Sequence, residues 1–571
     1  MICVKAGVGK AHHNWEHPID LGRPLRGAGA CCAFQQKMLM DAVAPPSVHF
    51  QDLRTHLETL RQAGKLRRIT TPINKDTELM PLVRWQFRGL AEAQRTGFLF
   101  ENVVDAKGRS LPGSVAVGIY AASSDVYALG MGCPASEIRA RWLQAQTNPL
   151  PPKLIESGAA QEEVHVGPSL LSHGGLSEFP IPISTPGFDA SPYTTASNWI
   201  TKDPETGWTN CGNYRGQVKA PDRMSTLLAD LNHGEQHWLL ARKRGKPLEG
   251  ALVIGGVPAL TYAAGTRVPY GVEEYAVAGS LIGQPLEVVR CKTVDLTVPA
   301  HAEIVVEGFF SNEHLEPEGP FGEYTGYMSD RGYAAVFQVT AITHRKNPIF
   351  TCIMSQMPPS ESSTLKKVGQ DNAYLLFLRN QCGIPAVQDV RFHDIALDSW
   401  VVIRMKPCAP ALVWQALYAV AGRHNHVGKF VIAVDEDVDP DDFESVVWAL
   451  SYRMQPSRDI VVLPNRCAGL DPSLVPPGME APHKAEMMLI NATRKWSYPP
   501  VSLPAKQYME RARQIWEELQ LPRLTPRAPW HGYELGHWTE RDREEAAWAV
   551  EGEYYRTGER AKQERQVISK D

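Results

Sequence analysis

The sequence predicts an α+β protein built from more than one folding unit, and three observations carry that prediction. The chain has 571 residues, more than one ordinary hydrophobic core can hold, which suggests two or three domains. From Ser114 to about residue 340 the apolar residues fall in short β-like runs punctuated by Gly and Pro, the pattern of barrels and sandwiches. Helix-then-strand patterns flank that region on both sides. An apolar content of 43% with 21% charged residues is that of a globular chain rather than a disordered one.

Taken in order, residues 1–45 show no periodicity and end in Pro45-Pro46; a disordered or loosely packed extension is expected, with no site assigned to His12 and His13. Order begins at Gln51. Leu53, Leu57 and Leu60 recur at helical spacing, and Gly64 stands where a C-terminal cap belongs. A strand at 65–71, a helix at 82–93 and a strand at 97–100 complete an α/β lobe over residues 46–112. Residues 113–354 form the β-rich unit. There, 180–189 is extended loop, and runs at 197–201 and from Trp208 are joined by Asp203-Pro204-Glu205-Thr206-Gly207, a hairpin signal. Further strands are expected at 251–254, 286–289, 303–306 and 336–339. A linker helix at 362–379, within 355–382, stops at Cys382-Gly383. An α/β domain over 383–470 offers a strand at 429–434, then a helix through Arg453 with Asp439 as N-cap and Pro440 in its first turn. Residues 471–571 read as a Pro-rich wrap and a charged tail helix from Thr539 to about residue 567.

Several function classes are disfavoured. A net charge of −4 gives no electrostatic case for nucleic acid. No apolar run reaches the roughly 18 residues of a membrane span, and the N-terminus lacks the apolar core of a signal peptide. Ten cysteines without a CxxC pair suggest a reducing compartment, so a cytoplasmic location is expected. Asp435–Asp439 has calcium-loop spacing, but Pro440 stands where such a loop needs glycine and Val446 replaces its final glutamate. Gly255-Gly256 lacks the rest of a dinucleotide fingerprint. His424 and His426 form only a weak HxH pair.

Chemistry concentrates in two stretches. In Glu316-Pro317-Glu318-Gly319-Pro320-Phe321-Gly322-Glu323-Tyr324-Thr325-Gly326, a Gly-Pro-Phe-Gly core excludes regular helix or central strand. Five residues apart on a strand, Glu318 and Glu323 would face opposite ways; a bent loop can turn both toward one cavity. Upstream, Trp208-Thr209-Asn210-Cys211-Gly212-Asn213-Tyr214-Arg215-Gly216 supplies a cation. Arg215 is the candidate carboxylate clamp, since a guanidinium grips a carboxylate in a planar fork.

With the preceding segment VPAHAEIVVEGFF at 298–310, these stretches resemble the UbiD family of decarboxylases, which use prenylated flavin mononucleotide; the resemblance runs from about Gln51 to about Pro500. It implies a UbiD-like α+β fold: a split β-barrel flavin-binding domain (113–354) joined by the linker helix to an α/β oligomerisation domain. It also implies a Glu-Arg-Glu network in which Glu323 is the proton donor and Glu318 stays ionised to orient Arg215. Asn210, His237 and Glu274 correspond to the family's ligands for a divalent ion, Mn2+ or Mg2+, against the flavin phosphate. Gly212, Asn213, Tyr214, Arg215, Gln236 and, more distantly, Arg423 join them as cofactor-binding candidates. A K+ site belongs to the same pattern, but Ala263-Ala264-Gly265-Thr266-Arg267 departs from the Ser-rich run of acrylic-acid-type members, against a phenylacrylic substrate.

The expected function is reversible, non-oxidative decarboxylation of an aromatic acid. The substrate would be a phenolic acid such as protocatechuate or 4-hydroxybenzoate, or an aryl-CoA acid such as phthaloyl-CoA. Such chemistry leaves electron density on carbon that no side chain can delocalise, so it calls for a cofactor. A flavin prenyltransferase as cofactor supplier and a homo-oligomer, dimer or hexamer, are the expected partners. The rivals are a flavin oxidoreductase of flavin-reductase type, which needs no Glu-Arg-Glu set, and a non-catalytic flavin-binding assembly subunit.

Overall fold

A computed structural model describes residues 50, 52–228, 232–266, 268, 271–424, 427–466, 470–474 and 485–566. The expected extension at 1–45, His426, Arg267 and the segment 475–484 lie outside these residues. Helix α1 (Leu53–Gln62) starts where the Asp52 side chain accepts the Thr55 N–H at 2.9 Å. It buries Leu53, Leu57 and Leu60 and stops at Gly64, whose φ of 68° is open to a glycine. Strand β1 (Leu66–Ile69), helix α2 (Leu79–Gly89), strand β2 (Gly97–Phe100) and strand β3 (Ser114–Val117) follow.

Nine strands then make the central sheet: β4 (Glu163–Val166), β5 (Tyr193–Thr194), β6 (Asn198–Lys202), β7 (Thr209–Asn213), β8 (Gly216–Ala220), β9 (Arg223–Thr226), β10 (Leu248–Ile254), β11 (Ile304–Glu318) and β12 (Gly332–His344). Their order is β7-β6-β10-β11-β12-β9-β8-β5, with β4 paired to the far half of β12. Helix α3 (His233–Lys243) lies between β9 and β10, and α4 (Glu274–Ile282) between β10 and β11. The sheet is mixed-in with helices in an α+β architecture, and no closed barrel is recorded among the described strands. Strand β13 (Ile349–Cys352) returns to pair parallel with β3, completing a four-stranded sheet ordered β1-β2-β3-β13. One hydrophobic core runs through both sheets. At its centre the Trp199 ring packs 5.2 Å from Phe310 and 4.9 Å from Phe337, tying β6, β11 and β12 together.

Helix α5 (Glu361–Leu376), opened by a Ser360 capping box, continues as a π-helical turn at Phe377–Gln381 and is the expected linker. A second core surrounds a five-stranded sheet of β14 (Val387–His393), β15 (Leu397–Met405), β16 (Phe430–Asp435), β17 (Ile460–Arg466) and β18 (Ala485–Ala492), ordered β14-β15-β16-β18-β17. Helices α6 (Pro410–Arg423) and α7 (Phe443–Tyr452) complete this part of the chain. Asp442, not Asp439, caps α7: its side chain accepts the Glu444 N–H, so Pro440 falls before the helix rather than in its first turn. After α8 (Lys506–Glu518), the expected single tail helix is two. The Thr539 capping box opens α9 (Glu540–Val550), Gly552 at φ 83° ends it, and α10 (Tyr555–Gln563) follows. Among the described residues no helix is long and apolar enough to cross a membrane.

Candidate active site

The site begins with a register. Strands β6 and β7 pair antiparallel with Asn210 opposite Thr201 and Asn213 opposite Asn198. Just past β7, the Trp199 indole N–H donates to the Tyr214 carbonyl at 2.9 Å, fixing the backbone immediately before Arg215. Arg215 is therefore aimed by the same tryptophan that anchors the core. Directly after it, Gly216 sits where a Cβ would meet Thr194 Oγ1 at 2.6 Å and the Met224 methyl at 2.7 Å.

The acids arrive from β11. That strand runs further than the sequence indicated, keeping 316–318 in register with β12 before the Gly-Pro-Phe-Gly bend begins. Arg215 Nε donates to Glu318 Oε1 at 2.8 Å and Nη2 to Oε2 at 2.6 Å, a two-point fork. Nη1 is paired with the Glu323 carboxylate from the other side of the bend. Glu318 and Glu323 are 2% and 8% exposed, so this is an enclosed charge cluster rather than a wet surface pair. The Arg215 guanidinium also lies over the Phe321 ring, 5.1 Å from its centroid, and Phe321 packs 4.6 Å from Tyr193. The Tyr193 hydroxyl donates to the Pro320 carbonyl at 3.4 Å; burial first, and the Glu318 charge second, push its phenol pKa up.

A second group surrounds β7. Asn210 is buried, and its Nδ2 has no hydrogen-bond partner. His237, fully buried on α3, has Nδ1 2.9 Å from the hydroxyl of Thr201, the residue facing Asn210 across the ladder. Burial lowers its pKa to about 4, so the imidazole is neutral near pH 7 and able to ligate. Glu274 opens α4, and its Oε2 accepts the Cys211 N–H at 2.9 Å. Burial raises that carboxyl to about 8, a state an adjacent cation would reverse. An amide, a neutral imidazole and a buried carboxyl on three elements packed about one strand suit a Mn2+ or Mg2+ donor set.

The remaining sequence candidates divide. Asn213 Oδ1 accepts the Ser197 N–H at 3.1 Å, and at Gly212 a Cβ would strike the Tyr214 hydroxyl at 2.2 Å, so both shape the Arg215 approach. Gln236 precedes His237 on α3. Arg423 lies instead by the second core, its guanidinium 4.8 Å from the Tyr374 ring and 4.6 Å from the Phe377 ring. Sequence reasoning missed Thr201, Tyr193 and Asp189. Asp189 Oδ2 accepts the Thr185 N–H at 2.5 Å, and burial raises its pKa to about 6. The loop it closes abuts Gly322, where a Cβ would meet Thr185 Oγ1 at 2.5 Å.

Comparison with known proteins gives this geometry a context. Residues 156–358 match the family described as 3-octaprenyl-4-hydroxybenzoate carboxy-lyase Rift-related domain, and 364–492 match its C-terminal domain. The chain belongs to the UbiD family. An uncharacterized protein of Archaeoglobus fulgidus is 35% identical over 361 residues, 60% of this chain and 72% of that one. Among solved structures, the UbiD-class enzyme HmfF from Pelotomaculum thermopropionicum, in an evolved dimeric form in complex with prFMN, superposes with a TM-score of 0.67. It shares 30% identity, with 80% of this chain and 97% of that one covered. Sedimentibacter hydroxybenzoicus vanillic acid decarboxylase, in closed form, gives a TM-score of 0.73 at 28% identity, covering 82% and 99%. This UbiD chain therefore has the fold of carboxy-lyases that act on aromatic acids, and neighbours that bind prFMN or FMN.

Proposed function

We propose that the protein catalyses reversible, non-oxidative decarboxylation of an aromatic carboxylic acid with prenylated FMN. The observation that carries the reading is the enclosed Glu318–Arg215–Glu323 set. A flavin-reductase-type oxidoreductase or a passive assembly subunit has no use for two carboxylates gathered on one buried guanidinium. The cofactor would be held on its phosphate side through a divalent ion by Asn210, His237 and Glu274, with Gly212, Asn213, Tyr214 and Gln236 shaping the approach. When bound, the prenylated flavin supplies the electron sink that the departing carboxylate requires.

The chain's own residues do the rest. Glu318, through its two-point fork, keeps the Arg215 plane fixed. Glu323 meets Nη1, the guanidinium nitrogen outside the Glu318 fork, so in this reading an incoming substrate carboxylate competes with Glu323 for that donor rather than with Glu318. Displaced from its cation in a buried setting, Glu323 is favoured in the protonated form and becomes the acid that returns a proton to the ring carbon. Phenolic acids such as protocatechuate or 4-hydroxybenzoate, and aryl-CoA acids such as phthaloyl-CoA, are the substrate classes of this reading. The vanillic acid decarboxylase likeness supports the phenolic branch. Arg423, stacked on Tyr374 and Phe377, is left out of the cofactor set. Self-association is supported by apolar side chains on the C-terminal segment, with Leu519 64%, Val550 62% and Tyr554 71% exposed in the single chain.

The test is co-expression with a flavin prenyltransferase, an absorbance spectrum of the bound flavin, and a screen of aromatic acids and CoA esters for CO2 release. Glu323→Gln is expected to bind the same flavin and to lose at least about a hundredfold in turnover. Retained turnover removes Glu323 from its role, and CO2 release with plain FMN alone removes the prenylated cofactor.

A further inference from the structure

Away from Arg215, on the opposite flank of β12, three histidines and a glutamate converge that no part of the proposed reaction uses. His165 lies on β4, His173 caps the short helix after it, and Glu178 ends the following turn. One nitrogen of His165, one of His173 and one Glu178 oxygen all lie within 4.8 Å of one another. His344, the last residue of β12, brings its Nε2 to 3.6 Å from the other oxygen, Glu178 Oε1. The β4–β12 register, with His165 opposite Ile342 and Glu163 opposite His344, holds two of the histidines at fixed places on paired strands.

The state of the individual atoms indicates what the cluster lacks. His165 and His344 are 5% and 6% exposed. His165 Nδ1 lies 3.2 Å from Glu178 Oε2, yet neither atom, nor His344 Nε2, makes a hydrogen bond. Buried polar atoms so weakly satisfied favour a further shared partner. His344 Nδ1 is 2.8 Å from the Arg345 carbonyl, which can only accept. Nδ1 therefore carries a proton, and Nε2 is the atom turned to Glu178, an orientation shared with metal-ligating histidines. The His165 and His173 rings stack at 3.9 Å.

We infer that His165, His173 and Glu178 form a binding site for a Zn2+-class transition-metal ion, with His344 against the other Glu178 oxygen, separate from the Asn210–His237–Glu274 set. Imidazole-rich ligation with one carboxylate selects Zn2+ or Co2+ over Mg2+ and Ca2+. A tetrahedral ion with bonds of about 2.0–2.1 Å needs ligand atoms roughly 3.3 Å apart. That closure requires the exposed His173 ring to rotate out of its stack on His165. Glu178 and His344 also line a cavity of about 300 Å³ with Glu163, Phe179 and Lys346. Water reaches the ion from that side. The ion would fasten β4 to the His173 turn, and Glu178 would link both to His344 at the end of β12. The adjoining Arg345 pairs with Asp52 at 2.8 Å, so the clasp lies beside the entry to α1.

The experiment uses the untagged full-length chain, freed of metal and titrated with Co2+ and then Zn2+. In the Glu274→Gln background, which removes the Asn210–His237–Glu274 set, the chain is expected to bind one Co2+ with the visible absorption bands of a four- or five-coordinate site, to exchange it for Zn2+, and to gain several degrees in Tm with Zn2+. Added to that background, His173→Ala and Glu178→Gln should each weaken Zn2+ binding at least tenfold. His173 is exposed, so its variant is expected to fold. A background without Co2+ bands, or added variants that bind as the background does, overturns the site and leaves a plain His165–Glu178 ion pair, which lowers Tm on substitution without any metal effect. Because the readout is metal binding, failure of the decarboxylase reading leaves this test unaffected.

Discussion

Glu318 and Glu323 are the same residue type on the same guanidinium, held from opposite sides of the bend. Two parallel hydrogen bonds to Glu318 resist rotation of the Arg215 plane, and Glu323 meets Nη1 from the other side. Burial decides the behaviour of a different residue, His56, which is fully enclosed beneath α1. Its Nε2–H donates to the Ile119 carbonyl at 2.7 Å, and its Nδ1 has no hydrogen-bond partner. A second proton would sit on Nδ1 against apolar surroundings, and burial accordingly lowers the pKa from 6.5 to about 4. Between those two values the unfolded chain binds the proton more readily than the native one. The stability tied to neutral His56 is therefore complete above pH 6.5 and is lost as pH falls toward 4, by up to about 3 kcal/mol. His56→Gln keeps an N–H donor for Ile119 but does not titrate. Urea unfolding at pH 7 and pH 4.5 should show the stability gap between wild type and variant shrinking in acid. A gap independent of pH would remove His56 from the acid response.

At the scale of the element, β11 and its bend convert a strand into a site. Gly319 has φ of 92°, and a Cβ there would lie 2.9 Å from the Asp330 carbonyl oxygen. Gly319→Ala should therefore cost about 1–2 kcal/mol of backbone strain and push Glu318 off its fork. The expected result is a fold that survives, flavin still bound, and turnover down at least tenfold. Gly332, paired with Glu318 across the ladder, has open space where its Cβ would go, so Gly332→Ala is the control and should be silent. Equal losses in the two variants would mean that the strand, not the bend, governs Glu318. The bend itself was legible, because Gly and Pro at fixed spacing exclude regular structure whatever the tertiary context. Thr201 was not. Its link to His237 arises from the β6–β7 register and from the placement of α3, and neither leaves a local trace in sequence. Asp189 was hidden for the same reason: a lone acid in an extended loop looks solvated until the loop it closes is seen against Gly322. The capping of α7 by Asp442 and the break at Gly552 were ambiguous locally, since two acids compete for the cap and a single glycine is tolerated inside many helices.

Across the whole molecule, the expected order of elements along the chain is largely found. The way β3 and β13 complete the N-terminal sheet from either side of the β-rich region required the structure, because parallel pairing between strands this far apart has no sequence signature. The same long-range logic governs how the C-terminal segment is held. Helices α8, α9 and α10 bury no residue of their own in the single chain, so packing alone does not fix them. The attachment runs through Arg453, 2% exposed, which donates to Asp435 at 2.8 Å and to both oxygens of Asp437 at 2.7 and 2.6 Å. Tyr533, between α8 and α9, donates its hydroxyl to the same Asp437 at 2.5 Å. Burial alone would raise the Asp437 pKa, but Arg453 and Tyr533 together hold it below the ordinary value, so Asp437 is an ionised acceptor for the tail. Tyr533→Phe removes one hydrogen bond to a charged group, about 1.5–3 kcal/mol, and only from the tail's side. Limited proteolysis should then cut between 519 and 539 several times faster than in wild type, while the urea midpoint of the two cores stays unchanged. Arg453→Leu, by contrast, takes the shared cation from buried Asp435 and half-buried Asp437, leaving only Arg494 beside Asp435, and should lower global stability by about 3 kcal/mol. If Tyr533→Phe leaves the cleavage rate unchanged, the contact with Asp437 is incidental and the tail is retained by its backbone hydrogen bonds, from the Tyr498 N–H to the Leu535 carbonyl at 2.9 Å and from the Val501 N–H to the Tyr533 carbonyl at 3.0 Å.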